Sequence, residues 1–313
     1  MTFELRLIVV VCAAFAVATL LGASLVPLVG RRAGRLAPAA RADALLRARL
    51  LPPALGILTA ALVAISWMRF EQRGLEATGL LLPGLAVLGV ATIGASAVRL
   101  TRLLRLTERT VNGWLVTATR RWLPGLSAPA FVIDVPFPVV AVVGIWRPRL
   151  VVARAVLDAC TAEELDAVIA HEQHHVARRD NLRRALLAAV PDPLASLPLS
   201  RRLLADWREA TEDAADDAVD RLGPHGRPLL AQALIRVARL APAGGWAGPL
   251  PASSLYRGEG LDRRVRRLLG TVPAAGETSP RWAAAGLGVA GILSLSALDR
   301  VHYVVELAVT YLP

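Results

Sequence analysis

Five consecutive residues, His171-Glu172-Gln173-His174-His175, carry the strongest chemical signal in this sequence. They read His-Glu-x-x-His and sit in a run with helical periodicity. Residues four apart share a helix face, so His171 and His175 can offer two imidazoles to one metal ion. Glu172 stands about 100° round the helix, beside the same site. Two imidazoles and an adjacent carboxylate base are what zinc-assisted peptide hydrolysis needs. A His171/His174 pair, three apart, is a geometric alternative. A catalytic zinc takes three protein ligands and keeps one position open, so another donor has to come from elsewhere in the chain.

The acidic run from Glu209 to Asp220 is the candidate source. Glu212 and Asp216 are four apart and share a face. Glu212 is placed to bind the metal, and Asp216 to accept a hydrogen bond from the far nitrogen of a ligand imidazole. Glu209, Asp213, Asp217 and Asp220 read as a solvated acidic face. His225 lies in Gly-Pro-His-Gly and reads as a loop residue, and His302 falls beyond the last apolar stretch. Cys12 and Cys160 are far apart and suggest neither a disulfide framework nor a cysteine-based metal site.

These residues need elements to position them. Thr161-Ala-Glu-Glu164 is a capping box. It opens a helix expected from about Ala162 to Val190, which carries the histidines and is stopped by Pro191, Pro193 and Pro198. A second helix starts after Ser200, carries Glu212 and Asp216, and stops at Gly223-Pro224. A third runs from about Pro228 to Leu240. Residues 241–251 form a linker, and Leu261–Leu269 is a short basic helix. Upstream, Phe131–Val152 is rich in β-branched residues and reads as two short strands, with a hairpin turn near Gly144-Ile145-Trp146-Arg147. The strand holding Val139, Val140, Ala141 and Val142 is a candidate for pairing with an extended peptide substrate.

Composition places this domain at a membrane. With 55% hydrophobic residues and a mean hydropathy of +0.49, the chain is too apolar for an ordinary soluble domain. Three uncharged stretches, about 7–29, 50–68 and 77–98, are long enough to span a bilayer, and a fourth, 282–298, is just long enough. The loop 30–49 holds Arg31, Arg32, Arg35, Arg41, Arg47 and Arg49 against one acid, Asp43. Arg99, Arg102, Arg105 and Arg109 follow the third stretch. The positive-inside tendency puts both basic segments in the cytoplasm. The expected layout is three transmembrane helices within 1–98, a cytoplasmic catalytic domain over 99–281, a fourth span at 282–298 and a short extracytoplasmic tail, 299–313, with both termini outside. All of the basic side chains are arginine. They are not interleaved with aromatics, so the net charge of +11 does not point to nucleic acid.

Taken together, the blocks Trp146-Arg-Pro-Arg-Leu-Val-Val152, Thr161 through Glu172, His175-Val-Ala-Arg-Arg-Asp180 and Glu212-Asp-Ala-Ala-Asp-Asp-Ala-Val219 resemble the membrane zinc peptidases of the BlaR/MecR sensor-transducer family. The HtpX and CAAX prenyl protease groups are more distant relatives by the same resemblance. It implies a mainly α membrane protein with a cytoplasmic α+β, gluzincin-like zinc domain. It names His171, His175 and Glu212 as zinc ligands, Glu172 as the catalytic base and Asp216 as support. It also implies a protein substrate such as a transcriptional repressor or the chain itself. Alternatives are a quality-control protease of the HtpX kind and an inactive metal-binding scaffold. Gln173 and His174 stand where such proteins usually have small or apolar residues. The residues after the last span are too few for an outside sensor domain, so β-lactam recognition is not expected.

Overall fold

The computed structural model describes residues 2–70, 80–241, 260–270 and Tyr303. The stretch expected as a fourth span, His302 and nearly all of the expected linker and tail lie outside these residues. Three long helices come first: α1 (Phe3–Ala33), α2 (Pro38–Phe70) and α3 (Leu81–Thr117). Each is long and apolar enough to cross a membrane. At 37 residues, α3 rises roughly 55 Å, well beyond a bilayer core. Small residues let the three approach closely. A Cβ on Gly89 of α3 would stand 2.6 Å from the Cys12 carbonyl oxygen of α1, and one on Gly56 of α2 would collide with the Thr19 hydroxyl. Arg6 of α1 is buried with its guanidinium over the Trp67 indole of α2.

A small mixed sheet follows. Its strands are β1 (Thr119–Arg121), β2 (Ala130–Ile133), β3 (Val140–Val143) and β4 (Arg149–Ala153), in the spatial order β1-β2-β4-β3. The hairpin expected around residues 144–147 is β3–β4. It turns through Gly144 at φ +95°, a conformation that favours glycine. β2 runs parallel to β4. The stretch from β2 to β4 thus holds three strands where the sequence suggests two, and the three-residue β1 adds a fourth.

Six helices complete the described chain: α4 (Arg154–Ala159), α5 (Ala162–Arg178), α6 (Asp180–Ala189), α7 (Pro198–Asp217), α8 (Gly226–Leu240) and α9 (Leu261–Leu268), with a 3-10 turn at Ala218–Leu222. The capping box at the start of α5 is formed in both directions. The single helix expected over 162–190 is instead broken in two at Arg179, a non-glycine residue in the left-handed region at φ +53°. One core packs the sheet against α5 and α8 through Val140, Val151, Ala167, Leu230 and Leu234. A second packs the first turns of α2 against α7 and α6, joining Ala42, Leu45 and Ala48 to Leu187, Leu203 and Trp207. The N-terminal end of α2 is thereby part of the packing around α6 and α7.

Candidate metal centre

Helix α5 presents His171 and His175 one turn apart, and α7 crosses it carrying Glu212. Among the described residues these three donors come together, with their ligand atoms within 4.8 Å of one another. The His171 and His175 Nε2 atoms lie 3.2 Å apart. Glu212 stands 3.6 Å from the first and 3.9 Å from the second. Ligands about 2.1 Å from a tetrahedral ion are about 3.4 Å from one another. The observed separations fit such an ion without rearrangement of the backbone.

Each imidazole is held from behind by a carboxylate. Asp216 Oδ1 lies 3.0 Å from His171 Nδ1, and Asp180 Oδ2 lies 2.7 Å from His175 Nδ1. A carboxylate on Nδ1 fixes the ring and leaves Nε2 as the ligand nitrogen. Asp216 follows from helical spacing. Asp180 does not: it lies just past the end of α5 and reaches His175 only because Arg179 turns the chain there. The Arg179 N–H closes α5 on the His175 and Val176 carbonyls, and α6 starts at once with Asp180.

Asp216 is fully buried and is also gripped by Arg264 of α9, whose Nε and Nη2 donate to its two oxygens at 3.0 and 2.6 Å. Arg264 Nη1 is 3.2 Å from Glu212. Burial alone would raise both carboxyls. The Arg264 charge and the His171 hydrogen bond overcome it and hold Glu212 and Asp216 well below the usual carboxylate range. For His171, burial opposes the imidazolium, but Asp216 and Glu212 outweigh it and push the ring up to about 9.

Glu172 is buried. Its Oε2 accepts the Val142 N–H of β3 at 3.1 Å, and its Oε1 has no hydrogen-bond partner among the described residues. Burial raises its pKa, with His175 and His171 acting against that shift. A carboxyl so poised can both take and return a proton. His174 is not among the clustered donors. Burial, then the neighbouring His175, depresses it to about 4. Gln173 spans the surface, donating to the Gly125 carbonyl at 2.5 Å and accepting from Arg221 at 2.6 Å. His225 is exposed at the start of α8.

The acidic face of α7 is not simply solvated, as its spacing suggests. Asp213 is paired by Arg263, Asp217 by Arg267 and Arg227, Asp220 by Arg227, and Glu209 by Arg41 and Arg263. The arginines of α9 form an ionic seam along it.

The candidate substrate strand is an edge strand. Ala153 N–H donates to the Val139 carbonyl at 2.7 Å, so in this antiparallel pairing Val139 and Ala141 face β4, while Val140 and Val142 turn their backbone groups to the open edge. Val142 is occupied there by Glu172 and by Asn181, whose Nδ2 donates to the carbonyls of Val142 and Gly144 at 2.9 and 3.0 Å.

No curated protein matches the chain. Residues 130–265 match the family model described as BlaR1 peptidase M56. The matched stretch, a little under half of the chain, runs from β2 to α9 and contains the whole donor cluster. The match assigns these residues to that family, and the three helices ahead of them are long and apolar enough to cross a membrane.

Proposed function

From this membership, we propose that the protein is a zinc-dependent endopeptidase that cleaves a cytoplasmic or membrane-proximal protein, with signalling by cleavage of a transcriptional repressor, or of itself, as its role. The observation that carries the reading is the spacing of His171 Nε2, His175 Nε2 and the Glu212 carboxylate, with Asp216 and Asp180 behind the two rings. This His₂Glu donor set fits Zn²⁺ and leaves a coordination position open. A bound zinc would supply a Lewis acid for the scissile carbonyl and acidify water beside it.

The chain's own residues do the rest. Glu172 takes the proton from the attacking water and delivers it to the leaving amine. The Val142 N–H holds Glu172 by one oxygen and leaves the other for that proton. An extended substrate pairs with the edge of β3 through Val140, because the Val139 carbonyl and the backbone groups of Ala141 are turned to β4 and those of Val142 are engaged by Glu172 and Asn181. The basic stretches beside α1–α3 favour a cytoplasmic site. A merely structural metal site has no use for a buried carboxylate base, which argues against an inactive scaffold.

Glu172→Gln tests the scheme: zinc content stays at the wild-type level while peptide hydrolysis disappears. A variant that still hydrolyses at the wild-type rate would sink it. Comparing new protein N-termini in cells expressing wild type and Glu172→Gln then identifies the substrate. Broad cleavage of misfolded membrane proteins, in place of one regulator, would show a quality-control enzyme.

A further inference from the structure

Asp43 is the one acid among the arginines of residues 30–49, and the proposed chemistry leaves it unexplained. It lies in the first turns of α2, where that helix packs on the catalytic domain. Arg178 and Arg183 both donate to its Oδ1, Arg183 at 2.7 Å, and Arg178 also reaches the Ala39 carbonyl at 3.4 Å. Arg178 is the last residue of α5, and Arg183 lies in the first turns of α6. Between them stand Arg179, in its left-handed conformation, and Asp180, on His175.

One carboxylate of α2 therefore bridges the two helix ends on either side of the joint that aims Asp180. A left-handed backbone at a residue with a Cβ persists only where its surroundings over-determine it. Asp43 supplies such a constraint: it draws together two guanidinium groups that would otherwise repel each other across the joint. The other ion pairs of this part of α2 go elsewhere. Arg41 meets Asp206 and Glu209 of α7, and Arg49 meets Asp192. An isolated surface pair would contribute little. This one joins three segments, and its side chains are about three-quarters buried.

We propose that Asp43 is a positioning residue for the metal centre: by pinning Arg178 and Arg183, α2 sets the angle at which Asp180 meets His175. The inference rests on the metal reading of His171, His175 and Glu212. It makes metal affinity responsive to the placement of α2 against the catalytic helices.

The test uses the full chain in detergent, with Zn²⁺ affinity measured by chelator competition and amide exchange measured across residues 176–184 of the metal-free protein. Asp43→Asn is expected to weaken zinc binding about tenfold, at the low end for loss of a partner outside the ligand set, and to speed exchange at the joint. Arg41→Ala, which breaks a neighbouring contact of the same helix, leaves both unchanged. The full charge swap, Asp43→Arg with Arg178→Asp and Arg183→Asp, rebuilds the bridge and restores affinity towards wild type, and decides the matter if Asp43→Asn fails to fold. Wild-type affinity in Asp43→Asn, equal weakening in Arg41→Ala, or a swap that restores nothing overturns the proposal while leaving the metal reading intact. A wild-type chain that binds no zinc overturns both.

Discussion

Metal uptake should release a proton, and the site shows which one. In the metal-free site, Asp216 and Glu212 outweigh the burial penalty and hold His171 protonated up to about 9. A ligand imidazole must give up the proton on its metal-facing nitrogen. Glu212 and Asp216 are held well below the usual carboxylate range, so neither supplies a proton near neutrality. Below pH 9 the apparent affinity should therefore fall about tenfold per pH unit, which makes it about 100-fold weaker at pH 7. Stability moves the opposite way in the metal-free protein. The folded value of His171 lies above the unfolded reference of about 6.5, so its contribution is fully present below that pH and is lost as pH rises towards 9. The Tm of the metal-free chain should fall across this window, while the Tm gain on adding zinc grows. Chelator competition from pH 6 to 9.5 gives the slope, and calorimetry in two buffers of different ionisation enthalpy counts the protons. The slope should survive in Glu172→Gln, which removes the buried carboxyl beside the site whose pKa is raised. It should flatten in Asp216→Asn. Zinc uptake with no proton release between pH 7 and 8, or an affinity that is flat from pH 7 to 9, would refute the assignment.

Three other perturbations have definite outcomes. Asp180→Asn removes the charge behind His175 and should weaken zinc binding by about 10- to 100-fold; unchanged affinity would mean that the Asp180 carboxylate does not tune His175 as a ligand. Arg264→Gln leaves the buried carboxylates of Asp216 and Glu212 without their guanidinium. It should lower stability by about 3–5 kcal/mol in the metal-free chain, read as a drop in the denaturant midpoint, and a drop under about 1 kcal/mol would show that the seam on α7 is dispensable. Gly89→Val would press a side chain onto the Cys12 carbonyl, 2.6 Å from the first added carbon. It should cost about 1–3 kcal/mol by overpacking α3 on α1, measured by unfolding in graded detergent, and a neutral result would place the two helices further apart.

The residues that form the site were far easier to see in the sequence than the residues that hold them. His171 and His175, like Glu212 and Asp216, are related by one helical turn, and helix geometry fixes such a relation before any tertiary packing exists. Thr161 and Glu164 were legible for the same reason, since a capping box is a local exchange of hydrogen bonds. Asp180 is not legible in the sequence because its route to His175 goes through a left-handed arginine, where helices usually end on glycine or asparagine. The acids of α7 looked solvated because their partners Arg263, Arg264 and Arg267 sit about fifty residues downstream, beyond the reach of any period. Asp43 is the extreme case, paired across 135 and 140 residues with arginines of α5 and α6. A single acid in a basic stretch resembles noise in a topology signal, and only packing shows that it lies on the α5–α6 joint. Local periodicity thus marks ligands that share a helix. The charges that set their angle depend on how the helices meet, so tuning of this centre by the membrane helices would pass through residues that no motif contains.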